Sequence, residues 1–119
     1  MIQQIPSSEV EEHIKYNPIS VLLDVRREEE WDVVGKPDGE KFGLKTYFLT
    51  IKDDNFINDF NKFSINQDYQ MLYICKAGQR SQFVTELLSK ENYKCINISD
   101  GFLGNPENIG WKNSGLPHK

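Results

Sequence analysis

The sequence predicts a single α/β domain in which helices cover a mainly parallel sheet of about five strands. Two short, nearly continuous apolar runs, residues 21–25 and 71–75, are typical of strands buried on both faces of a parallel sheet. Helical patterns alternate with these runs and with weaker strand patterns, which is the order expected of an open α/β sheet. Functional sites in such sheets lie at the carboxyl ends of the strands.

Five segments account for the expected strands. The runs VLLDV (21–25) and MLYIC (71–75) are the central strands, and CINIS (95–99) alternates like a third. TYFLTI (46–51) is a weaker pattern, and MIQQI (1–5) is a candidate edge strand. Strands in this number are enough for a sheet that helices cover on both faces.

Apolar residues at one-face spacing mark the helices between these strands. Ser7 or Ser8 is a candidate N-cap for the first helix. The apolar stripe of this helix consists of Val10 and Ile14. Two further helices are marked by the stripes Phe56, Ile57, Phe60 and Phe63 and Phe83, Val84, Leu87 and Leu88. The last stripe follows residues 74–81, and its helix is expected to begin at about Ser81. Residues 35–43 and 100–110 are too rich in Gly, Pro and polar residues for regular structure.

Length and charge limit the classes of function. The 119 residues fit one domain, 1–119, which can bury a core without disulfides or a structural metal. The 14 basic and 18 acidic residues give a net charge of -4, which argues against a nucleic-acid partner. The N-terminus lacks a signal-peptide pattern, and no apolar run is long enough to cross a bilayer. We therefore expect a cytoplasmic protein without a membrane partner.

The two cysteines, Cys75 and Cys95, differ in their surroundings. They are too few for a disulfide framework, and no Cys or His residues at ligand spacing accompany them, so no metal site is expected. Free cysteine is often an inert core residue, and this interpretation fits Cys95, which begins a strand beside Lys94. A resolving role for Cys95 is a minor alternative. Cys75 instead ends a buried strand and begins the stretch CKAGQRS.

The stretch after Cys75 contains the features that activate a thiol. Backbone N–H groups at the start of the next helix attract an anion. Gly78 can take the positive φ that lets the loop turn tightly around a small bound group. Lys76 and Arg80 add cations. These features favour the thiolate, which is the nucleophilic form of cysteine. The two histidines, His13 and His118, lie in no motif that would orient a base, so activation by fixed electrostatics is favoured over a Cys/His pair.

Over nearly the whole chain, the sequence resembles a single-domain rhodanese. The resemblance lies in three stretches that follow one another in this order: LLDVRREEEW, YICKAGQRSQFVTELL and YKCINISDGFLG...GWKNSGLP. The pattern Cys-x-x-Gly-x-Arg-Ser is the most specific part. The resemblance implies a rhodanese-like three-layer α/β/α fold and a sulfurtransferase that moves sulfane sulfur from a donor such as thiosulfate to cyanide or a thiol. The sulfur would travel as a persulfide on Cys75, without a cofactor. The persulfide would lie in a loop formed by Lys76, Ala77, Gly78, Gln79, Arg80 and Ser81.

The same resemblance defines the expected partners and one departure. The partners are a small anionic sulfur donor and a thiophilic acceptor, and a protein persulfide is a further possible donor. Many rhodaneses have a Gly-His-Ile-x-Gly-Ala run after the DVR element, whereas this chain has GKPDGEKFG at 35–43. That loop and the stretch GFLGNPENIGW resemble a subgroup of small bacterial rhodaneses. The departure concerns the side of substrate entry and leaves the cysteine loop intact.

Two other functions are compatible with this fold. Phosphatase and arsenate reductase relatives place five residues between the cysteine and the arginine, but four separate Cys75 from Arg80. A phosphatase also needs a general acid, for which only Asp24 and Asp100 are placed at strand ends. The remaining alternative is a non-catalytic rhodanese-like binding module, and the intact cysteine loop argues against it.

Several residues near the strand ends are expected to support or line the site. Asp24, Arg26, Glu30 and Trp31 follow the first central strand, where an ion-pair and packing network is favoured over substrate contact. Trp31, Phe102 and Leu103 are candidates for an apolar wall at the mouth. Arg80 either shapes the loop or contacts substrate, and Ser81 either caps the helix or hydrogen-bonds the sulfur. Lys76 is the best candidate to set the preference for substrate charge.

Overall fold

The computed structural model describes residues 3–51 and 55–119. Its strands are β1 (Gln3–Ile5), β2 (Ser20–Asp24), β3 (Lys45–Phe48), β4 (Gln70–Ile74) and β5 (Lys94–Ile98). Its helices are α1 (Val10–Tyr16), α2 (Glu28–Val33), α3 (Phe56–Asn61), α4 (Gln79–Ser89) and α5 (Gly110–Asn113), with short 3-10 helices at Ser7–Glu9 and Gly39–Phe42. The predicted alternation of strands and helices is confirmed. Met1 and Ile2 of the predicted edge strand lie outside the described residues.

The five strands form one sheet in the order β1-β5-β4-β2-β3, and every pairing is parallel. The predicted fold class is therefore confirmed. Leu72 of β4 lies between Leu22 of β2 and Ile96 of β5, so the most apolar run occupies the middle of the sheet. Its residues are buried on both faces, which explains the continuous hydrophobicity of the run.

Alternate residues of the central strands divide between two cores. On one face, Leu72 and Ile74 pack with residues of α1 and α5, among them Val10 and Trp111. On the other face, Tyr73 packs with residues of α3 and α4, namely Phe56, Phe60, Val84 and Leu88. The period of two along each strand thus produces the three layers.

The parallel register places the carboxyl ends of the central strands at one edge of the sheet. Asp24 of β2 pairs with Ile74 of β4, and Tyr73 pairs with Asn97 of β5. Cys75, Arg26 and Asp100, which follow these strands, therefore emerge at the same edge. This edge is where the sequence predicts the functional site.

Some predicted boundaries and roles differ from the structure. β3 ends at Phe48, three residues before the end of the predicted run. The N-cap of α1 is Glu9, so neither Ser7 nor Ser8 caps this helix as predicted. The Ser7 hydroxyl instead donates to the buried carboxylate of Asp100 at 2.9 Å. Residues 39–42 of the loop predicted to be irregular form a 3-10 helix.

Helix α4 begins at Gln79, two residues earlier than predicted, and Ser81 lies inside its first turn. Gly78 adopts a positive φ of 102° and occupies the N-cap position, because the chain must reverse sharply after Cys75. Phe83 of the predicted apolar stripe is 57% exposed, whereas Val84 and Leu88 are fully buried. None of the described helices is both long and apolar enough to cross a membrane.

Replacing Phe60 by Ala is expected to lower the free energy of unfolding by about 3–5 kcal/mol, because the ring is 1% exposed and its removal leaves a cavity. Phe83→Ala is the matched control: it also removes a helical phenylalanine, but an exposed one, and should change stability by less than about 0.5 kcal/mol. Urea unfolding of both variants measures the difference. Equal losses would contradict the assignment of Phe60 to the core.

Candidate active site

The cysteine loop, residues 75–81, turns from β4 into α4 through Gly78. A Cβ atom at position 78 would lie 2.1 Å from the carbonyl oxygen of Ser99, which is far inside contact distance. The φ of 102° also disfavours any L-residue with a side chain. Only glycine fits this position, as the sequence predicts.

The tight turn brings one backbone N–H group and one hydroxyl group to the sulfur of Cys75. The backbone N–H of Gly78 donates to Sγ at 3.1 Å, and the Ser81 hydroxyl lies 3.3 Å from it. The sulfur lies ahead of the N-terminus of α4, an eleven-residue helix whose dipole favours negative charge there. Both the amide and the helix end stabilise an anionic sulfur.

Cys75 is 1% exposed, and a cleft of about 510 Å³ lies beside its loop. The lining residues of this cleft are Arg27, Glu29, Glu30, Val34, Lys76, Arg80 and Leu103. Lys76 and Arg80, which belong to the cysteine loop, are more exposed than the cysteine itself. Lys76 and Arg80 are thus the residues through which the cysteine loop borders the cleft.

Arg80 forms a bidentate ion pair with Glu30 of α2. Its two terminal nitrogens lie 2.7 and 2.9 Å from the two carboxylate oxygens. The hydrogen bonds from Arg80 hold the pKa of Glu30 below its ordinary value, although burial opposes them, and those bonds also raise the pKa of Arg80. Glu30 also accepts a hydrogen bond from the backbone of Arg27. Arg80 is thus fixed in the wall of the cleft by a carboxylate, and most of its charge is compensated.

Asp24 and Arg26 form a second, separate ion pair. Arg26 is 1% exposed and donates to both carboxylate oxygens of Asp24 at 2.9–3.1 Å. Its guanidinium also donates to the Gly35 carbonyl and stacks 4.2 Å from the centroid of the Phe102 ring. This pair fastens the end of β2 to two loops and does not line the cleft.

The three residues predicted to form an apolar wall lie in different places. Leu103 lines the cleft. Phe102 is fully buried beneath Arg26, so it supports the site from behind and is not at the mouth. Trp31 contacts Phe48 edge-to-face at 5.3 Å between centroids, and it is not among the residues that line the cleft.

Residues 101–105, within the predicted irregular segment, support the cysteine loop from below. The backbone N–H groups of Phe102 and Leu103 donate to the carbonyls of Cys75 and Lys76 at 2.7 and 3.0 Å. The Asn105 amide donates to the Ala77 carbonyl at 3.3 Å. Three successive carbonyls of the loop are therefore held in place, which leaves the loop's N–H groups on the opposite side.

Neither carboxylate considered as a general acid is available. Asp100 is 1% exposed and accepts hydrogen bonds from the Ser7 backbone, the Ser7 hydroxyl and the Gly110 backbone at 2.8–2.9 Å. Asp24 is fully buried and bound to Arg26. Burial and these three hydrogen bonds hold Asp100 away from the cleft, so its carboxyl group cannot reach a leaving group there.

Cys95 is remote from Cys75. It pairs in register with Met71, four residues before Cys75 on β4, a separation of about 13 Å at the rise of a β-strand. A disulfide requires Cα atoms within roughly 7 Å. Burial raises the pKa of the Cys95 thiol, and the contact with the Tyr73 hydroxyl at 3.5 Å only partly offsets this effect. Cys95 therefore packs in the sheet and cannot resolve Cys75 without a large rearrangement.

Four residues of the site were missed by the sequence analysis. Arg27, Glu29 and Val34 line the cleft because α2 lies beside the cysteine loop, an adjacency that no local pattern encodes. Asn97 is 2% exposed and lies 2.5 Å from the Ser81 hydroxyl. Its only signal in the sequence is a polar amide inside the apolar run of β5, where asparagine is disfavoured.

No protein-family model matches the chain. The uncharacterized protein RP600 of Rickettsia prowazekii is 34% identical over 123 residues, which cover 98% of this chain and 97% of that protein. Among solved structures, Rv0390 from M. tuberculosis superposes with a TM-score of 0.83 at 28% identity over 98% of this chain and 96% of that one. A rhodanese-like domain protein from Staphylococcus aureus gives 0.72 at 21% identity over 99% of both chains.

Two further structures of the same fold have names that refer to different chemistries. The polysulfide-sulfur transferase homodimer from Wolinella succinogenes has a TM-score of 0.70 at 21% identity, over 99% of this chain and 78% of that one. A possible tyrosine phosphatase from Rhodopseudomonas palustris has a TM-score of 0.70 at 19% identity, over 99% and 85%. At these identities the likeness shows the fold alone, so the chemistry must be argued from the site.

Gly78→Ala is expected to destabilise the protein and to disrupt the cysteine loop, because the new methyl group would meet the Ser99 carbonyl. Gly43→Ala is the matched control: Gly43 also has a positive φ, of 84°, but a Cβ there meets nothing within 4 Å. The control should cost about 1 kcal/mol for its conformation alone, and Gly78→Ala at least about 2 kcal/mol more. Thermal unfolding of the two variants checks this, and equal losses would show that the Ser99 contact is unimportant.

The ion pair between Glu30 and Arg80 predicts a pH-dependent stability. Because the pKa of Glu30 is lowered on folding, the pair stabilises the protein above about pH 4.3, and this contribution is lost as the pH falls through the folded-state pKa. Glu30→Gln should therefore lose about 0.5–1 kcal/mol at pH 7 and progressively less toward pH 3. Urea unfolding across this range measures the difference. Glu29→Gln is the control, and a pH dependence of the same size in that variant would contradict the assignment.

Proposed function

The chain has the fold of the rhodanese-like domain proteins, as its structural neighbours show, and we propose that it is a sulfurtransferase that carries sulfane sulfur as a persulfide on Cys75. The donor is a small anion such as thiosulfate, and the acceptor is cyanide or a thiol. No cofactor besides the covalent persulfide is part of this proposal. The polysulfide-sulfur transferase among the structural neighbours is consistent with this class of reaction.

One observation carries the proposal: the sulfur of Cys75 lies at the N-terminus of α4 and accepts a hydrogen bond from the Gly78 amide at 3.1 Å. These groups stabilise negative charge on sulfur without a neighbouring base. The described residues include no histidine in contact with Cys75, so activation depends on the fixed dipoles of the loop.

The proposed reaction has two nucleophilic steps. The Cys75 thiolate attacks the outer sulfur of thiosulfate, the sulfur–sulfur bond of the donor breaks, and sulfite leaves with the bonding electron pair. The negative charge then resides on the terminal sulfur of the persulfide. Cyanide attacks this terminal sulfur, thiocyanate leaves, and the electron pair of the broken bond restores the thiolate.

The charges of the cleft suit an anionic donor. Lys76 and Arg27 line it, and neither side chain forms an ion pair with another described residue. Arg80 is compensated by Glu30 and contributes mainly position. Because Cys75 is 1% exposed, productive binding requires a local rearrangement of the loop side chains, of which Lys76 is free of ion pairs with the described residues whereas Arg80 is held by Glu30.

The same features argue against phosphoryl or arsenate chemistry. An oxyanion site needs a guanidinium that is free for bidentate contact, but Glu30 occupies that edge of Arg80. A phosphatase also needs a proton donor for the leaving group, and Asp24 and Asp100 are both committed elsewhere. With four residues between cysteine and arginine, the loop better fits a single terminal sulfur.

Cys75→Ser is expected to abolish the transfer of sulfur from thiosulfate to cyanide while the fold remains intact, because a serine hydroxyl at this site forms no persulfide. Cys95→Ser is the matched control and should retain the activity of the parent protein, since Cys95 is remote from the loop. Thiocyanate formation measures turnover, and intact mass after thiosulfate treatment should show one added sulfur atom that cyanide removes.

Retained transfer in Cys75→Ser would refute the mechanism. Hydrolysis of an aryl phosphate by the parent protein, lost in Cys75→Ser, would favour a phosphatase. A parent protein that accepts no sulfur from thiosulfate, polysulfide or a protein persulfide would favour a binding module.

A further inference from the structure

We propose that Asn97 is a positioning residue that sets the reactivity of Cys75 by competing with its sulfur for the hydroxyl proton of Ser81. Ser81 is fully buried, and its oxygen lies 2.5 Å from Oδ1 of Asn97 and 3.3 Å from Sγ of Cys75. A serine hydroxyl has one proton to donate. It can therefore serve only one acceptor at a time. The candidates are the amide oxygen, the sulfur and the Gly78 carbonyl, which lies 3.3 Å away but already accepts from Asn97 and from the backbone of Gln82.

The orientation of the Asn97 amide is fixed by its other contacts. Its Nδ2 donates to the Gly78 carbonyl at 3.1 Å and to Oε1 of Gln4 at 2.8 Å. The Gly78 carbonyl can only accept, so the nitrogen must face it and Oδ1 must face Ser81. An amide oxygen cannot donate, so the short contact requires that the proton comes from Ser81.

This arrangement fits a thiol better than a thiolate. When the Ser81 hydroxyl donates its proton to Asn97, a lone pair of the Ser81 oxygen faces Cys75. A protonated Cys75 can donate its S–H group to that lone pair. A thiolate instead needs donors, and the Gly78 amide supplies one. The Ser81 proton becomes a second donor only if Asn97 is left with an unpaired acceptor, which is costly because Asn97 is 2% exposed.

The competition has a consequence for sulfur loading, and this step rests on the proposed function. When the thiolate becomes a persulfide, the negative charge moves from Sγ to the terminal sulfur. Sγ then no longer needs the Ser81 proton, which returns to Asn97. Asn97 thus disfavours the thiolate relative to both the thiol and the persulfide, so a thiolate that has formed is driven toward the loaded state.

The test is the alkylation rate of Cys75 by iodoacetamide, followed by the mass of the peptide that contains it. The pH is low enough that the wild-type rate still increases with pH, so that the thiolate fraction limits the rate. Asn97→Leu frees the Ser81 proton for the sulfur, and one hydrogen bond to a charged group should raise the thiolate fraction roughly tenfold. The more stable thiolate is intrinsically less nucleophilic, which offsets part of this gain. The alkylation rate should therefore increase by about threefold. The Gly78 carbonyl keeps its hydrogen bond from the backbone of Gln82.

Ser81→Ala supplies the control that separates competition from simple support. In that background there is no proton to compete for, so Asn97→Leu should leave the rate unchanged. The charged groups near the cysteine, Lys76, Asp24 and the pair of Arg80 with Glu30, are the same in all variants. Slower alkylation in Asn97→Leu, or equal acceleration with and without Ser81, would overturn the proposal.

A second measurement covers the case in which Asn97→Leu does not fold. In a Cys95→Ala background, only Cys75 contributes an S–H stretching band to the infrared spectrum. The band should lie at lower frequency with Ser81 than in Ser81→Ala, because the thiol donates to the Ser81 oxygen. Identical bands would show that the proton is not held by Asn97. Neither measurement requires sulfur transfer, so a failure of the proposed function would be seen separately as absence of persulfide.

Discussion

The close approach of the Gly78 α-carbon to the Ser99 carbonyl is the constraint on which the site depends. A side chain at position 78 would overlap that carbonyl, so the chain can pass only with a glycine in the left-handed region. This turn directs the Gly78 amide at Sγ of Cys75 and starts α4 at the next residue. The positions of Arg80 and Ser81 follow from the helical geometry that begins there.

Charge is distributed so that a local cationic site exists on an acidic protein. The net charge is -4, yet two carboxylates near the site are each consumed by one arginine. The buried pair of Asp24 and Arg26 fastens the end of β2, while the half-buried pair of Glu30 and Arg80 shapes the cleft. Lys76 and Arg27 line the cleft without an ion pair to another described residue, so the local charge depends on which groups are paired and not on their number.

A segment without regular secondary structure holds the cysteine loop in position. Residues 101–105 contain no helix or strand, yet they donate hydrogen bonds to three successive carbonyls of the cysteine loop. Asp100 anchors the start of this segment through three donors, one of which belongs to α5. Binding residues on loops need a rigid support, and here a second loop supplies it.

The sequence by itself determined the fold class and indicated Cys75 as the candidate nucleophile. Short, continuous apolar runs that alternate with helical patterns favour strands covered on both faces, and a cysteine followed by glycine, arginine and serine at a strand end is a local pattern that needs no tertiary information. The tertiary structure alone decided that Glu30 binds Arg80, that Phe102 lies under Arg26 and that Asn97 meets Ser81. These pairs are separated by 16 to 76 residues, as the numbering shows. Their contacts arise from strand order and helix placement, and no short-range pattern records either.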